Sequence, residues 1–379
     1  MSKSNNELVP QLRFQEFLST GTWQACKLSD LAEQRTESIG GRQLTIVHIK
    51  AGEGFVTQTK RSGPAISGDY YTVIRKGDFS YTKTYSSEYP QGCVYMLKEH
   101  DEAAVPHTYI SFHFNEDCIP AFYNGYFETN YYGRQLAKYT SKGFGSSGVL
   151  SIKPSDFFSI MLPTPTSKAE QQKIADCLSS IEELIAAEEN KLTALKDQKK
   201  GLLQKLLDKT APDWRFPEYN ASGVWKKTSF KDVFGSLHTS VQKARPAILL
   251  EGDIAFIGTG PKVGNAYIHD AVPLAPSLVY GSVSRDYCPA FIYAQTLTSG
   301  YEKWVARLSG QSKQPGIRAA EYESFTFYCP SLLEQQKIAD CLSSIDDRIT
   351  AQIKKIDNLR VHKRGLLQRL YPSIGEIRG

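Results

Sequence analysis

The chain has 379 residues, a length that suits two domains, each with its own core. Its content of 41% hydrophobic and 22% charged residues is typical of a globular protein. Its net charge of +5 is too small to indicate nucleic-acid binding by itself, so the placement of the charges matters more than their sum. No stretch approaches 18 consecutive apolar residues and the segment Met1–Pro10 is polar, which argues against a membrane span and a signal peptide and predicts a cytoplasmic location.

The first predicted domain, residues 1–169, combines an opening motif with a basic segment. The motif reads Arg-Phe-x-Glu from Arg13 and is followed by Trp23. Residues 129–155 contain no Asp or Glu, but they carry Lys and Arg side chains interleaved with aromatic ones. A basic helix can neutralise DNA phosphates, and a Gly-rich loop after it can approach a groove closely. The DNA contacts predicted for this domain are Lys60, Arg61, Lys83, Arg134, Lys138 and Lys142.

A long amphipathic helix is predicted for residues 170–208. Its apolar residues alternate at steps of four and three, which is typical of a coiled-coil seam, and Glu188 and Lys199 interrupt that seam. Pro163 and Pro165 precede the helix, where proline marks a helix start. The predicted contacts with a second helix are Ile174, Leu178, Ile181, Ile185, Leu192, Leu195, Leu202 and Leu206.

The second predicted domain, residues 209–333, repeats the plan of the first. Its opening motif starts at Arg215 and is followed by Trp225, each 202 positions after its counterpart. Residues 303–320 again lack acidic side chains and carry basic and amide ones. Amide side chains can bond adenine in two places, and Lys or Arg can reach guanine. The DNA contacts predicted here are Lys262, Lys303, Arg307, Gln311, Lys313, Gln314 and Arg318.

A second helix, residues 334–371, is a copy of the first and precedes a short tail, residues 372–379. Twelve consecutive residues from Glu334 are identical to those from Glu170, and the Gly-Leu-Leu-Gln helix ends share the same offset of 164. Such identity indicates an internal duplication. The predicted seam of this helix consists of Ile338, Leu342, Ile345, Ile349, Ile356, Leu359, Leu366 and Leu370.

These elements predict an α+β fold in which two similar mixed α/β domains are separated by two long helices that form an antiparallel coiled coil with pseudo-two-fold symmetry. A pseudo-two-fold axis that crosses the helices requires them to run antiparallel, and the domains then lie at opposite ends. In the alternative arrangement each helix packs only on its own domain. When the two domains are aligned in sequence, Phe158 corresponds to Phe325 and Pro163 to Pro330, at an offset of 167.

The duplicated plan resembles the specificity subunit of Type I restriction-modification systems. The resemblance covers essentially the whole chain and rests on the openings at Arg13 and Arg215, the Pro-x-x-x-Glu-Gln-Gln-Lys-Ile-Ala motif that begins at Pro330, and the Lys-x-Gly-Leu-Leu-Gln helix ends. The first helix start departs from this motif, because residues 166–169 intervene between Pro165 and Glu170.

The resemblance implies a non-catalytic subunit whose two target-recognition domains each read one half of a split, asymmetric site on double-stranded DNA. It implies that the helices dock two methyltransferase subunits and that two motor-nuclease subunits complete the restriction enzyme. S-adenosylmethionine would then bind the methyltransferase, and this chain would need no cofactor. Half-sites about one turn of DNA apart are expected from other two-fold DNA readers.

Motifs for catalysis are missing from the sequence. The cluster Gly258–Gly264 lacks the Gly-Lys-Ser/Thr of a P-loop and suits a turn between strands better, and the seven cysteines and seven histidines form no metal-binding pattern. A fused nuclease or methyltransferase and a structural coiled-coil adaptor without sequence-specific DNA binding remain the alternatives. The basic helices are open to a further alternative, an ordinary solvated helix face.

Overall fold

A computed structural model describes residues 8–57, 70–140, 150–207, 215–240, 247–248, 250–268, 271–272, 277–309 and 316–374. The chain divides into two compact units, the first formed by Met1–Ala186 with Asp357–Gly379 and the second by Ala187–Ile356. The division falls within both long helices, so each unit holds one domain and a part of each helix. The predicted boundaries, in contrast, treated every helix as a segment of its own.

The first unit is built around a four-stranded antiparallel sheet in the order β2-β9-β6-β7. The pairs β1–β10, β3–β4 and β5–β8 are also antiparallel. The described elements up to the first long helix are β1 Gln24–Lys27, α1 Leu28–Leu31, β2 Ala32–Gln34, β3 Val47–Lys50, β4 Gly54–Thr57, β5 Tyr71–Arg75, β6 Phe79–Thr82, β7 Cys93–Met96, β8 Glu102–Pro106, β9 Ile110–Phe114, α2 Pro120–Glu128, α3 Tyr132–Thr140, α4 Pro154–Phe158, β10 Met161–Thr164 and α5 Lys168–Leu207.

The second unit repeats this plan with a four-stranded antiparallel sheet in the order β12-β17-β14-β15. The pairs β11–β18 and β13–β16 are antiparallel too. Its described elements are β11 Lys226–Ser229, α6 Phe230–Phe234, β12 His238–Ser240, β13 Ala247–Ile248, β14 Asp253–Ile257, β15 Ala266–Ile268, β16 Ala271–Val272, β17 Leu278–Ser282, α7 Pro289–Gln295, α8 Ser299–Ser309, α9 Ala319–Glu323, β18 Thr326–Cys329 and α10 Leu332–Leu370.

Aromatic side chains fill equivalent places in the two cores. In the first unit the ring of Phe157 on α4 stacks on Tyr81 of β6, with 4.5 Å between the ring centroids. In the second, Tyr322 on α9 stacks on Phe256 of β14 at 4.7 Å. Both pairs are buried, and such stacking adds to the free energy that burial of the rings contributes.

The strand ladders correct the offset that was expected ahead of the second helix. Gln24 faces Thr164 in the β1–β10 ladder, and its counterpart Lys226 faces Cys329 in the β11–β18 ladder. The structural offset between β10 and β18 is therefore 165, so pairing Phe158 with Phe325 at 167 was wrong. Phe158 and Phe325 are the same residue type but do not occupy equivalent positions, because the register of each strand is set by its ladder hydrogen bonds.

The long helices α5 and α10 run antiparallel where they meet. In the second unit Lys199 of α5 pairs with Asp346 of α10 at 2.6 Å. Glu188, which precedes Lys199 on α5, contacts Gln352, which follows Asp346 on α10, so the two helices run in opposite directions. The mixed α/β fold with two long helices is thus confirmed. The alternative in which each helix packs only on its own domain does not hold.

Each helix also inserts its ends into domain cores. Leu203 and Leu206 at the end of α5 share the core of the second unit with Ile338 and Leu342 at the start of α10. In the first unit the start of α5 and the end of α10 share one core, which contains Ile174, Leu178, Leu367 and Leu370. All predicted seam residues are buried or half-buried, and the buried residues Leu203, Leu207 and Leu367 lie outside the predicted seam because domain side chains cover them.

Across the described ranges, no helix combines the length and the apolar character needed to cross a membrane. Within the same ranges, no three His, Cys, Asp or Glu side chains come together in a group that could hold a metal ion.

Candidate nucleic-acid interface

In each unit one buried carboxylate links the start of the domain to a long helix. Glu170, in the first turn of α5, is fully buried and accepts hydrogen bonds from Arg13 Nε at 2.7 Å, Arg13 Nη2 at 2.8 Å and Trp23 Nε1 at 3.1 Å. Bidentate ion pairs of this kind add geometric specificity as well as interaction energy. Their residues are those of the opening motif and of the repeated helix start.

The second unit contains the same arrangement. Glu334, in the first turn of α10, accepts hydrogen bonds from Arg215 Nε at 2.8 Å, Arg215 Nη2 at 2.6 Å and Trp225 Nε1 at 3.3 Å. Sequence reasoning counted these residues only as marks of the duplication and missed their structural role. Their identity in both copies was the signal that could have revealed it.

The glutamine after each buried glutamate holds the backbone at the start of another helix. Gln171 Oε1 accepts a hydrogen bond from the Ile119 backbone N–H at 3.0 Å, next to the first residue of α2. Gln335 Oε1 accepts one from the Cys288 backbone N–H at 2.9 Å, next to the first residue of α7. Helices α3 and α8 follow directly, so the repeated Glu-Gln-Gln sequence sets the position from which each basic helix starts.

Helix α3 separates an apolar face from a basic face. Tyr132 and Leu136 are fully buried, whereas Arg134 and Lys138 are exposed on the opposite side. Residues four apart share one helix face, so the two cations form a single charged edge. The Lys138 ammonium also lies 5.0 Å from the centroid of the Tyr139 ring.

Helix α8 repeats this amphipathic arrangement. Tyr301 is buried and donates a hydrogen bond to the backbone oxygen of Gly264 at 2.7 Å, while Lys303 and Arg307 are exposed. The two cations line one cleft of about 590 Å³, together with Trp304 and strand β18. The structure therefore brings the predicted basic pair of each domain to one edge of a buried helix.

The two basic helices join their neighbouring strands differently. In the first unit Gln135 of α3 donates from Nε2 to the Met161 backbone oxygen and accepts from the Met161 backbone N–H, both at 2.8 Å. The counterpart of Gln135 is Trp304, whose ring packs on Phe325 at 5.2 Å between centroids. Equivalent helices thus have different surroundings in the two units.

The other described basic residues of the prediction are spread over both units. Lys83 follows β6, its backbone oxygen accepts a hydrogen bond from the Leu150 N–H, and burial lowers the pKa of its ammonium. It lines a cleft of about 500 Å³ with Lys153, which the predicted site omitted. Arg318 is exposed ahead of α9, with its Nε 3.9 Å from Glu321.

Lys262 is exposed in the turn between β14 and β15, which is where the glycine cluster lies. In this turn Gly264 has a φ of +90°, and a Cβ there would stand 2.5 Å from Val305, so only glycine fits. The remaining predicted contacts lie outside the described residues: Lys60, Arg61, Lys142, Gln311, Lys313 and Gln314.

Comparison with known proteins finds a match within the second half of the chain. Residues 231–358 match the family model of the Type I restriction modification DNA specificity domain. The specificity domain so defined includes the basic helix α8 and most of α10, and the first half of the chain repeats its plan. The resemblance seen in the sequence is confirmed for these residues.

Solved structures extend the likeness of the specificity domain to nearly the whole chain. The S subunit of a Type I restriction-modification system from M. genitalium is 14% identical, with a TM-score of 0.59, over 97% of this chain and all of its own. A chain from a structure on complex assembly and conformational transition of the type I R-M system is also 14% identical, with a TM-score of 0.55, over 93% of this chain and 98% of its own. At this identity the likeness establishes the fold.

Proposed function

We propose that this chain is the DNA-recognition subunit of a Type I restriction-modification complex and that it reads a bipartite, asymmetric target with one domain for each half-site. The observation that carries the proposal is the duplicated arrangement of a buried Glu–Arg–Trp cluster and an exposed basic helix. Each unit contains one copy, in which Arg134 and Lys138 correspond to Lys303 and Arg307.

Phosphate contacts by the basic helices would supply most of the affinity. Cations four residues apart suit neighbouring phosphates, and such contacts set register without reading bases. The segments that follow α3 and α8 contain Lys142, Gln311, Lys313 and Gln314, whose side chains have the donors and acceptors to read base edges. Different residues in these segments, and the exchange of Gln135 for Trp304, support an asymmetric target.

The partners of the proposed subunit are those that the resemblance to a specificity subunit implies. Two methyltransferase subunits would dock on the long helices and supply S-adenosylmethionine, and two motor-nuclease subunits would complete the restriction enzyme in the cytoplasm. The paired helices would set the distance between the half-sites, about one turn of DNA from centre to centre.

Selection from a random duplex pool tests the proposal. The full chain would be purified with its methyltransferase subunits and used to enrich bound DNA over several rounds. We expect two blocks of preferred bases separated by a gap of constant length. One continuous block would contradict recognition by two separate domains. A structural adaptor without sequence-specific binding would enrich no sequence at all.

A further inference from the structure

A polar pair lies on the apolar seam where the long helices meet. Gln352 of α10 donates from Nε2 to the Glu188 backbone oxygen at 2.9 Å and to Glu188 Oε2 at 2.6 Å. Lys355 Nζ lies 2.6 Å from Glu188 Oε1. Only 6% of Gln352 and 12% of the Glu188 side chain are exposed, so this pair is largely removed from water.

The two residues of this pair are copies of each other in the duplication. Gln352 follows Glu188 by 164 positions, the offset that relates the two helices. In an antiparallel pair of copied helices, a residue meets its own copy only where the pseudo-two-fold axis crosses. Glu188 and Gln352 therefore mark that centre.

The ion pairs on either side of this centre do not distinguish α5 from α10. Lys199 pairs with Asp346 in the second unit, and their copies Lys363 and Glu182 pair in the first. Two copies of α5 placed together would form the same ion pairs, between Lys199 of one and Glu182 of the other. The identical residues of the helix starts would also pack alike. The central pair is different, because a second α5 would place Glu188 against Glu188.

We propose that Glu188 and Gln352 determine how the long helices pair: they set the register of α5 against α10 and disfavour pairing of α5 with the α5 of a second copy of this chain. A buried polar residue in an apolar seam specifies register and partner at some cost in stability. A shift by one heptad would place Gln352 opposite Ile181 or Leu195, where its amide finds no partner. Two facing carboxylates cannot both remain charged without a large penalty.

Charge variants of the full chain test the pairing. Gln352→Glu places two carboxylates at the centre, and Lys355 and Lys191, its copy on α5, are the cations beside them. We expect the thermal midpoint of unfolding to fall by a few degrees at pH 8 and to recover at pH 5, where one carboxyl takes up a proton. The exchange variant Glu188→Gln with Gln352→Glu restores one acid, one amide and a neighbouring lysine. It should recover most of the loss, and failure to recover would overturn the proposal.

Self-association gives a second readout that does not depend on stability. The double variant Glu188→Leu with Gln352→Leu completes the apolar seam, so we expect its midpoint to be equal to or above that of the parent. Sedimentation should then show a larger fraction of dimers than the parent has at the same concentration. Glu188→Gln alone removes the repulsion between two α5 helices together with the Lys355 ion pair that favours α10, so it should shift the population in the same direction.

A matched control removes charge from an exposed pair of copies on the same helices, with Glu183→Gln and Asp347→Asn. This control should leave both the midpoint and the dimer fraction at the parent values. If the leucine variant associates no more than the control, the pair does not select the partner helix. These outcomes are independent of DNA binding, so they separate the pairing proposal from the proposed function.

Discussion

The Arg13 guanidinium and the Glu170 carboxylate form a bidentate ion pair across 157 residues of sequence, and it joins the opening of the chain to the first turn of α5. The carboxylate is fully buried and also accepts the Trp23 indole N–H. Loss of either partner would leave the charge of the other uncompensated inside the protein, and this is the costly way to disturb a buried pair.

Arg13→Met should therefore lower the free energy of unfolding by roughly 3 to 5 kcal/mol. Urea denaturation followed by tryptophan fluorescence measures this loss. The matched control is Lys173→Met on α5, which removes the cation of a half-exposed pair with Glu16 and should cause no measurable change. Equal losses in the two variants would contradict an anchoring role for Arg13.

The basic helices can be tested by removing their charge without changing their length. The double variant Arg134→Gln with Lys138→Gln should weaken binding to every duplex sequence alike and lower the salt slope by about one for each lost phosphate contact. Lys303→Gln with Arg307→Gln should act in the same way. Removing the same charge from exposed positions of α5, with Lys196→Gln and Lys200→Gln, is the control for net charge. A loss confined to one target sequence would indicate base reading instead.

The segments after the basic helices should act independently of each other. Substitution of Lys142 is expected to alter recognition of one half-site only, and substitution of Gln311 to alter the other, because each residue belongs to a different domain. Binding to duplexes that carry changes in a single half-site measures the effect. Equal loss at both half-sites for either variant would count against one domain for each half-site.

Lys363 should control the pH dependence of the first unit. Its ammonium lies 2.6 Å from Glu128 and 2.8 Å from Glu182. Burial raises the pKa of Glu128, and Lys363 opposes that rise. A carboxyl whose pKa is higher in the folded state contributes stability at pH values below its unfolded pKa, and this contribution is lost as the pH rises through the folded pKa.

Lys363→Met removes the opposing cation, so the pKa of Glu128 should rise further and the thermal midpoint should fall more steeply between pH 5 and pH 8 than in the parent. Differential scanning calorimetry at several pH values measures this trend. The copy Lys199→Met is the control, because its partner Asp346 is about half-exposed and water can solvate the carboxylate left behind. A parallel pH trend in both variants would contradict the role given to Glu128.

The sequence by itself determined the duplication, the two long helices, the apolar seam and the resemblance to a family of specificity subunits. Helix α5 begins two residues before the predicted start at residue 170, and α10 two residues before 334. These features could be read because a repeat is visible when two stretches of sequence are compared, and because helical periodicity depends on residues that are close together along the chain. The exposed pairs Arg134–Lys138 and Lys303–Arg307 were found for the same reason, since a four-residue spacing places two side chains on one helix face.

Only the tertiary structure decided which distant residues meet. The anchoring of Arg13 by Glu170, the junction of Gln135 with Met161 and the contact between Glu188 and Gln352 all join separate elements. The register of β18 and the burial of Leu203 and Leu367 also depend on side chains that come from other parts of the fold. Periodicity states which face of an element is apolar, but the partner of that face is selected by packing and by the hydrogen bonds that buried polar groups must make.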